Sequence, residues 1–424
     1  MIGTDREIET CAFSYCNEVR YMQKRLNTVI PFIIIDEGNA EVQARNKSIV
    51  SYILQNQKDI KLIYIDSLVQ QLYFDLFKQF RISQEILDLL NFEGNSYGRI
   101  LNKQFLIAAT FGADYIHRRD SDTQLIANKK YPSEYEIKYL GRKISEIPNK
   151  ELPQNISFDS EKRILMVGSG YSGGSDWKTD YTSLLPNDIK AIIELNQLLR
   201  VPDSLILVYL SEIISGINYV DEPFKFLPDN MHANPDFGNI SFYNFHKFIP
   251  ASPIHKTTGS DYFITYLLKN NSCPIIYHNH FVLHKYTNKR KNKDENYVRE
   301  YWNKLTLMYD YYFTFYDYLI PQIKQTTFDV TDIENTDINL LINCMKNIKV
   351  NKKERYNRIM KISNIIAKSN TPIVKECSDL FKKDGFREMI TSSVDNGIDD
   401  HIKLLAEWSN LIDCAKQINP AIFN

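Results

Sequence analysis

The 424-residue chain is poor in glycine and proline, with 15 of each. That excludes a collagen-like repeat and a Pro/Gly-rich disordered chain, which need far more of both. Cysteines are few and scattered: Cys11, Cys16, Cys273, Cys344, Cys377 and Cys414, with no Cys-x-x-Cys pair. Such gaps exclude a disulfide framework or a zinc knuckle. They fit buried thiols in a reducing compartment, so a cytoplasmic location is expected. No stretch approaches the ~18 consecutive apolar residues of a membrane-spanning helix. The opening Met1-Ile-Gly-Thr-Asp-Arg-Glu7 has no basic leader followed by an apolar run, so no signal peptide is expected. An excess of charge is missing too, since 51 Lys+Arg meet 52 Asp+Glu for a net charge of -1. A nucleic-acid coat protein or a polyanionic tail has a different balance.

What the chain does have is aromatic residues, 12% of the total, within a hydrophobic share of 43%. A chain of this kind buries enough surface to offset the entropy of ordering it. Its length predicts two or three domains, or one large domain with an appendage.

Strand and helix patterns alternate over the first 130 residues. Apolar positions from Ile8 to Met22 recur at helical spacing. The run Val29-Ile-Pro-Phe-Ile-Ile-Ile35 ends at Asp36-Glu37-Gly38-Asn39 and reads as a strand buried on both faces of a sheet. A helix around 42–54, a strand over 60–65, a helical stretch over 67–92 and a helix over 99–110 follow. Ala113-Asp-Tyr-Ile116 is a short strand that runs into His117-Arg-Arg-Asp-Ser-Asp122. Repeated β-α-β units imply a layered α/β sheet. Further on come a strand at 163–167, a helix at 186–200, a loop-rich stretch at 201–260, a helix opening at Gly259 and a strand at 273–277. A Lys/Asn-rich segment at 286–296 marks a boundary, and beyond it strands give way to helices, beginning with an aromatic helix over 297–323. No internal repeat is present.

Chemistry is carried first by Asp120-Ser121-Asp122. Two carboxylates two residues apart at the end of a strand can converge on one divalent cation in the crevice above the carboxyl edge of an open sheet. Hard cations such as Mg²⁺ or Mn²⁺ take carboxylate oxygens and share their other positions with phosphates. The other reading of the pair is a solvated acidic turn. Upstream lie Tyr97-Gly98-Arg99-Ile-Leu-Asn102-Lys103, an apolar helix and Gly112-Ala-Asp-Tyr-Ile116.

This order resembles that of the nucleotide-sugar-dependent glycosyltransferases of GT-A fold, over roughly residues 1–290. The resemblance implies a Rossmann-like mixed sheet with helices on both faces, a nucleotide-diphosphate sugar donor and Mg²⁺ or Mn²⁺. It makes Asp122 the main metal ligand and places Asp120 near the ribose or the metal. Thr4, Asp5 and Arg6 would surround the nucleoside, Asp36 would approach the base or ribose, and Arg99 and Asn102 would contact the donor. The chain departs from the pattern in having almost no room for a first strand before Thr4. Arg118-Arg119 either neutralise a pyrophosphate, with Arg119 on the donor, or form structural ion pairs.

Downstream, Asp261 in Gly259-Ser-Asp-Tyr-Phe263 stands where inverting relatives carry the catalytic base; in a retaining mechanism it would only position substrate, and an N-cap is the other alternative. His278, His280 and His284 cluster after a strand. By resemblance His280 or His284 supplies a last metal ligand, with Lys285, Lys289 and Arg290 on the diphosphate. Gly168-Ser-Gly-Tyr-Ser-Gly173 matches a dinucleotide motif but lacks the apolar helix that must follow it. It is expected to form a flexible loop over donor or acceptor, with Trp177 either stacking on sugar or lying in the core. A haloacid-dehalogenase-type phosphatase is disfavoured, since Asp36 lacks the second Asp, and Asp120 is preceded by His-Arg-Arg with Gln124 in the Thr/Val position.

The expectation is therefore a GT-A catalytic domain over 1–290 and a helical domain over 291–424 that binds the acceptor or forms a homodimer. Two other classes stay open. A nucleotidyltransferase would show a Gly-rich basic loop in place of Thr4-Asp5-Arg6-Glu7, and a non-catalytic carbohydrate- or protein-binding module would be indifferent to metal.

Overall fold

The computed structural model describes residues 1–91, 96–127, 129–148, 151, 159–173, 189–199, 206, 225–227, 235–285, 294–330 and 333–423. Trp177, Lys289 and Arg290 lie outside them. The apolar run before Asp36 becomes β2 (Phe32–Asp36), buried at every residue, as a strand covered on both faces requires. On either side lie β1 (Ile2–Thr4) and β3 (Leu62–Ile65). A three-residue β1 is enough, because it pairs in parallel with β2 and with β4 (Tyr115–Asp120).

Seven more strands complete two sheets: β6 (Met166–Gly168), β8 (Lys225–Leu227), β9 (Asn239–Tyr243) and β10 (Ile275–Tyr277) in the first, and β5 (Thr123–Leu125), β7 (Tyr171–Gly173) and β11 (Val282–His284) in the second. The first sheet runs β3-β2-β1-β4-β9-β6-β10-β8 and is mixed, because β9 is antiparallel to both β4 and β6. The second consists of β5 (Thr123–Leu125), β11 and β7 in the order β5-β11-β7. The chain is thus an α/β protein with a mixed sheet and a helical C-terminal region.

Several expectations change. Residues 171–173 are not a loop: they pair in parallel with β11. The 201–260 stretch hides β9, whose Ile240 and Phe242 are buried in the core. The 67–92 helix is two helices, Ser67–Gln79 and Gln84–Asn91, separated at Arg81 with φ 64°. The aromatic helix is interrupted too: Glu295–Tyr311 passes through a π-helical turn, Tyr312–Tyr316, before Asp317–Ile323.

Helix Tyr97–Thr110 lies between sheet and C-terminal helices, and nearly all of its residues are buried. Gly98 makes this possible, since a methyl there would run into the Ser252 carbonyl oxygen. The 34-residue helix Asp384–Gln417 closes the far side. Its His401 Nε2 lies 3.2 Å from the Pro250 carbonyl, and Trp408 Nε1 donates to the His246 carbonyl at 3.0 Å. One apolar cluster accordingly takes in Ile35 of β2, Phe105 and Trp408. Among the described residues, no helix is long and apolar enough to cross a membrane.

Candidate functional site

Neighbouring strand ends set the site. Register pairs Thr4 of β1 with Asp36 of β2 and Gly3 with Asp120 of β4, so the chain leaves the sheet at one edge in all three. Such an edge is where open α/β sheets take ligands. A cavity of about 390 Å³ opens there, lined among others by Thr4, Asp5, Arg6, Arg118, Asp120, Asp122, Asp261 and His284.

The two acidic residues of the DxD sequence are held differently. Asp120 receives the Tyr171 hydroxyl on Oδ2 at 2.6 Å and faces Arg118 Nη2 at 3.2 Å. Asp122 pairs through Oδ2 with Arg6 Nη1 at 2.5 Å and lies 3.4 Å from His284 Nε2. The second sheet explains this last approach. β11 pairs antiparallel with β5, matching His284 to Thr123, and the Lys285 amide donates to the Asp122 carbonyl at 2.7 Å. Tyr171 of β7 stacks on the His284 ring at 5.3 Å. Gly238 leaves room for this arrangement, since a side chain there would strike both the Asp120 carboxylate and the Tyr171 hydroxyl.

Asp261 is 4% exposed and lines the same cavity. Burial pushes its carboxyl up to about 6, against the pull of the Arg118 guanidinium. Helix Phe263–Asn270 starts two residues later without a side-chain cap, so the capping role is not the one Asp261 plays. Its loop is clamped from the helical region. The Tyr316 hydroxyl donates to the Gly259 carbonyl at 3.3 Å, and the Tyr312 hydroxyl reaches the same oxygen at 3.5 Å. Gly259 has φ 74°, and a β-carbon there would lie 2.6 Å from the Tyr312 hydroxyl.

Six residues of the expected site lie off the cavity. Asp36 is fully buried and accepts from the Gly38 amide, Asn46 Nδ2 at 2.7 Å and the Tyr64 hydroxyl at 2.6 Å. Arg99 acts on Glu37, a lining residue, at 2.9 Å. Asn102 clips the 251 backbone in both directions, donating to the Ala251 carbonyl and accepting from its amide. The ring of His280 turns to the Tyr131 carbonyl at 2.9 Å, and Lys285 is exposed. Arg119 points the opposite way from Asp120. Successive strand residues face opposite sides, so Arg118 shares the cavity face with Asp120 while Arg119 meets Glu18 at 2.8 Å and Glu136 at 2.9 Å on the other. These carboxylates and Arg119 are all buried. Replacing Arg119 by Met should therefore destabilise the fold by about 3–5 kcal/mol, read in urea melts.

Sequence reading missed Asp236 and Tyr171. Asp236 accepts the Tyr171 amide at 3.1 Å and the Tyr262 hydroxyl at 3.2 Å, and burial lifts its carboxyl to about 7. The signal available was a Pro-Asp-Phe-Gly turn just before the alternating Asn239-Ile-Ser-Phe-Tyr243. Asp236 and Asp261 both bind protons more tightly folded than unfolded. Their neutral forms favour the fold, an effect complete below pH ~4 and lost as pH rises through about 6 and 7. The metal-free protein should melt at a lower temperature at pH 8 than at pH 5. The double substitution Asp236→Asn, Asp261→Asn should flatten that difference in scanning calorimetry.

Six carboxylates line the cavity: Asp5, Glu37, Asp120, Asp122, Asp236 and Asp261. They face the fixed cations Arg6, Arg118 and Lys304. Among the described residues, no group of three or more His, Cys, Asp or Glu is gathered to hold a metal. Asp122 and His284 are a pair of donors 3.4 Å apart on the cavity wall. Two protein ligands suffice for Mg²⁺ or Mn²⁺ when water and phosphate oxygens fill the rest.

The fold and the site thus define an α/β protein with an acidic cleft at the carboxyl edge of its sheet. The chain belongs to the family described as Family of unknown function (DUF6271), which matches residues 1–423. No curated protein matches it.

Proposed function

We propose that the chain is a metal-dependent glycosyltransferase of GT-A type that moves a sugar from a nucleoside-diphosphate donor to an acceptor. The observation that carries this reading is the meeting of Asp122 and His284, 3.4 Å apart, in one cavity with Thr4, Asp5, Arg6, Asp120 and Asp261. The cavity's excess of carboxylates supports it as well. A diphosphate would be repelled by that charge unless a cation entered with it.

Asp122 and His284 would hold Mg²⁺ or Mn²⁺, with Asp120 nearby. When bound, the metal supplies positive charge where the departing diphosphate becomes negative. The residues of the chain do the rest. Thr4 and Asp5 line the nucleoside end, and Arg6, now paired with Asp122, turns to phosphate oxygens. Arg118 and Tyr171 fix the Asp120 carboxylate. Asp261 takes the proton of the acceptor hydroxyl, a role for which a carboxyl raised to about 6 stays ionised at neutral pH. The helical region clamps the loop of the base through Tyr312 and Tyr316. Six free, buried cysteines go with a reducing, cytosolic setting.

The test is a thermal-shift and hydrolysis screen of nucleotide sugars with and without Mn²⁺. The reading expects one donor to stabilise the protein and to be hydrolysed slowly, both only with metal. Stabilisation that ignores metal, with no turnover of any donor, would point instead to a non-catalytic binding module.

A further inference from the structure

Among the described residues, the cavity receives one side chain from beyond residue 290. Lys304, on helix Glu295–Tyr311, is half-buried in its wall. Residues four apart share a helix face, so Lys304, Met308 and Tyr312 form one stripe. Met308 Sδ accepts the Thr258 hydroxyl at 2.9 Å, and Tyr312 reaches the Gly259 carbonyl. Lys304 therefore stands over the same 257–262 segment that carries Asp261.

Among the described residues, no hydrogen bond or ion pair holds the Lys304 ammonium. Five of the six carboxylates of the cavity, all but Asp261, are already engaged: Asp5 and Asp122 by Arg6, Glu37 by Arg99 and Lys103, Asp120 by Arg118, and Asp236 by Tyr262. An ammonium taken partly out of water gains little unless an anion comes to it. In the same cleft, Arg6 and the metal pair serve the donor's phosphates. The base must lie within hydrogen-bond reach of the acceptor hydroxyl, which puts the acceptor beside Asp261, in the cavity that Lys304 also lines.

We infer that Lys304 recognises a fixed negative charge on the acceptor, and that the acceptor is a sugar or polyol bearing a carboxylate or a phosphate. This rests on the glycosyltransferase reading and adds the acceptor's chemical class to it.

The test measures binding by calorimetry to protein saturated with Mn²⁺ and the diphosphate of the donor. The probes are methyl glucoside, glucuronate and glucose 6-phosphate, offered to wild type, Lys304→Met and Lys304→Arg. The inference expects an anionic probe to bind wild type at least about ten-fold more tightly than the neutral one. Lys304→Met should erase that preference and Lys304→Arg should keep it. Preference for glucuronate or for glucose 6-phosphate identifies the carboxylate or the phosphate as the group read. Equal binding of all three probes, or an anionic preference that survives in Lys304→Met, overturns the inference while leaving the donor reading intact. Failure of both uridine and guanosine diphosphate to bind with Mn²⁺ overturns the two together.

Discussion

Asp261→Asn is expected to cut turnover by about 10²–10⁴-fold, the usual contribution of a positioned general base, with donor binding within about two-fold of wild type. The substitution keeps shape and removes only the charge. Asp261 sits 4% exposed in the wall of the cleft, and no side-chain cap of the following helix depends on it. The same residue sets a pH signature. The ionised form is the active one, and burial raises its carboxyl to about 6, so kcat should climb tenfold per pH unit below that value and level off above it. The asparagine variant should lack this limb. Steady-state rates between pH 4.5 and 8 in wild type and variant check both points. A variant that keeps full turnover and an unchanged profile would remove Asp261 from the chemistry.

The second large effect falls on Asp122. Its carboxylate lies between Arg6 and His284, so Asp122→Asn strips the site of the charge that would draw a cation in. Loss of metal-assisted charge stabilisation is worth several kcal/mol. Turnover should therefore drop at least about 100-fold, and Mn²⁺ should no longer stabilise the donor complex in thermal shift. Asp120→Asn should weaken activity less. Asp120 is fixed by Tyr171 and Arg118 on separate oxygens, and an asparagine there keeps its one oxygen for Arg118 while its NH2 donates to the Tyr171 hydroxyl. A larger effect at Asp120 than at Asp122 would reverse the proposed division of labour.

What was legible in the sequence follows physical lines. β2 announced itself because a strand buried on both faces needs an unbroken apolar run, which Phe32–Asp36 supplies. The strand-end residues Thr4, Asp5, Arg6, Asp120 and Asp122 were legible because short chain segments carry them to the sheet edge. His284 was legible only as one of three histidines. What singles it out is the β5–β11 ladder, a pairing across more than 150 residues that places it beside Asp122. Arg119 could have been set aside from strand alternation, since two adjacent residues of β4 cannot both face the cleft. Asp36, Arg99 and Asn102 could not, because whether a polar residue in such a motif meets a ligand or a buried neighbour depends on distant partners such as Tyr64, Glu37 and Ala251. Asp236, Tyr171 and Lys304 come from three separate stretches of chain and meet only in the folded molecule.

The account stands most directly on where manganese binds. Crystals soaked with Mn²⁺ and uridine or guanosine diphosphate, measured at the manganese edge, should show an anomalous peak between Asp122 and His284, with the diphosphate against it and Arg6 moved to its oxygens. A peak elsewhere, or none with the diphosphate bound, would contradict the assignment.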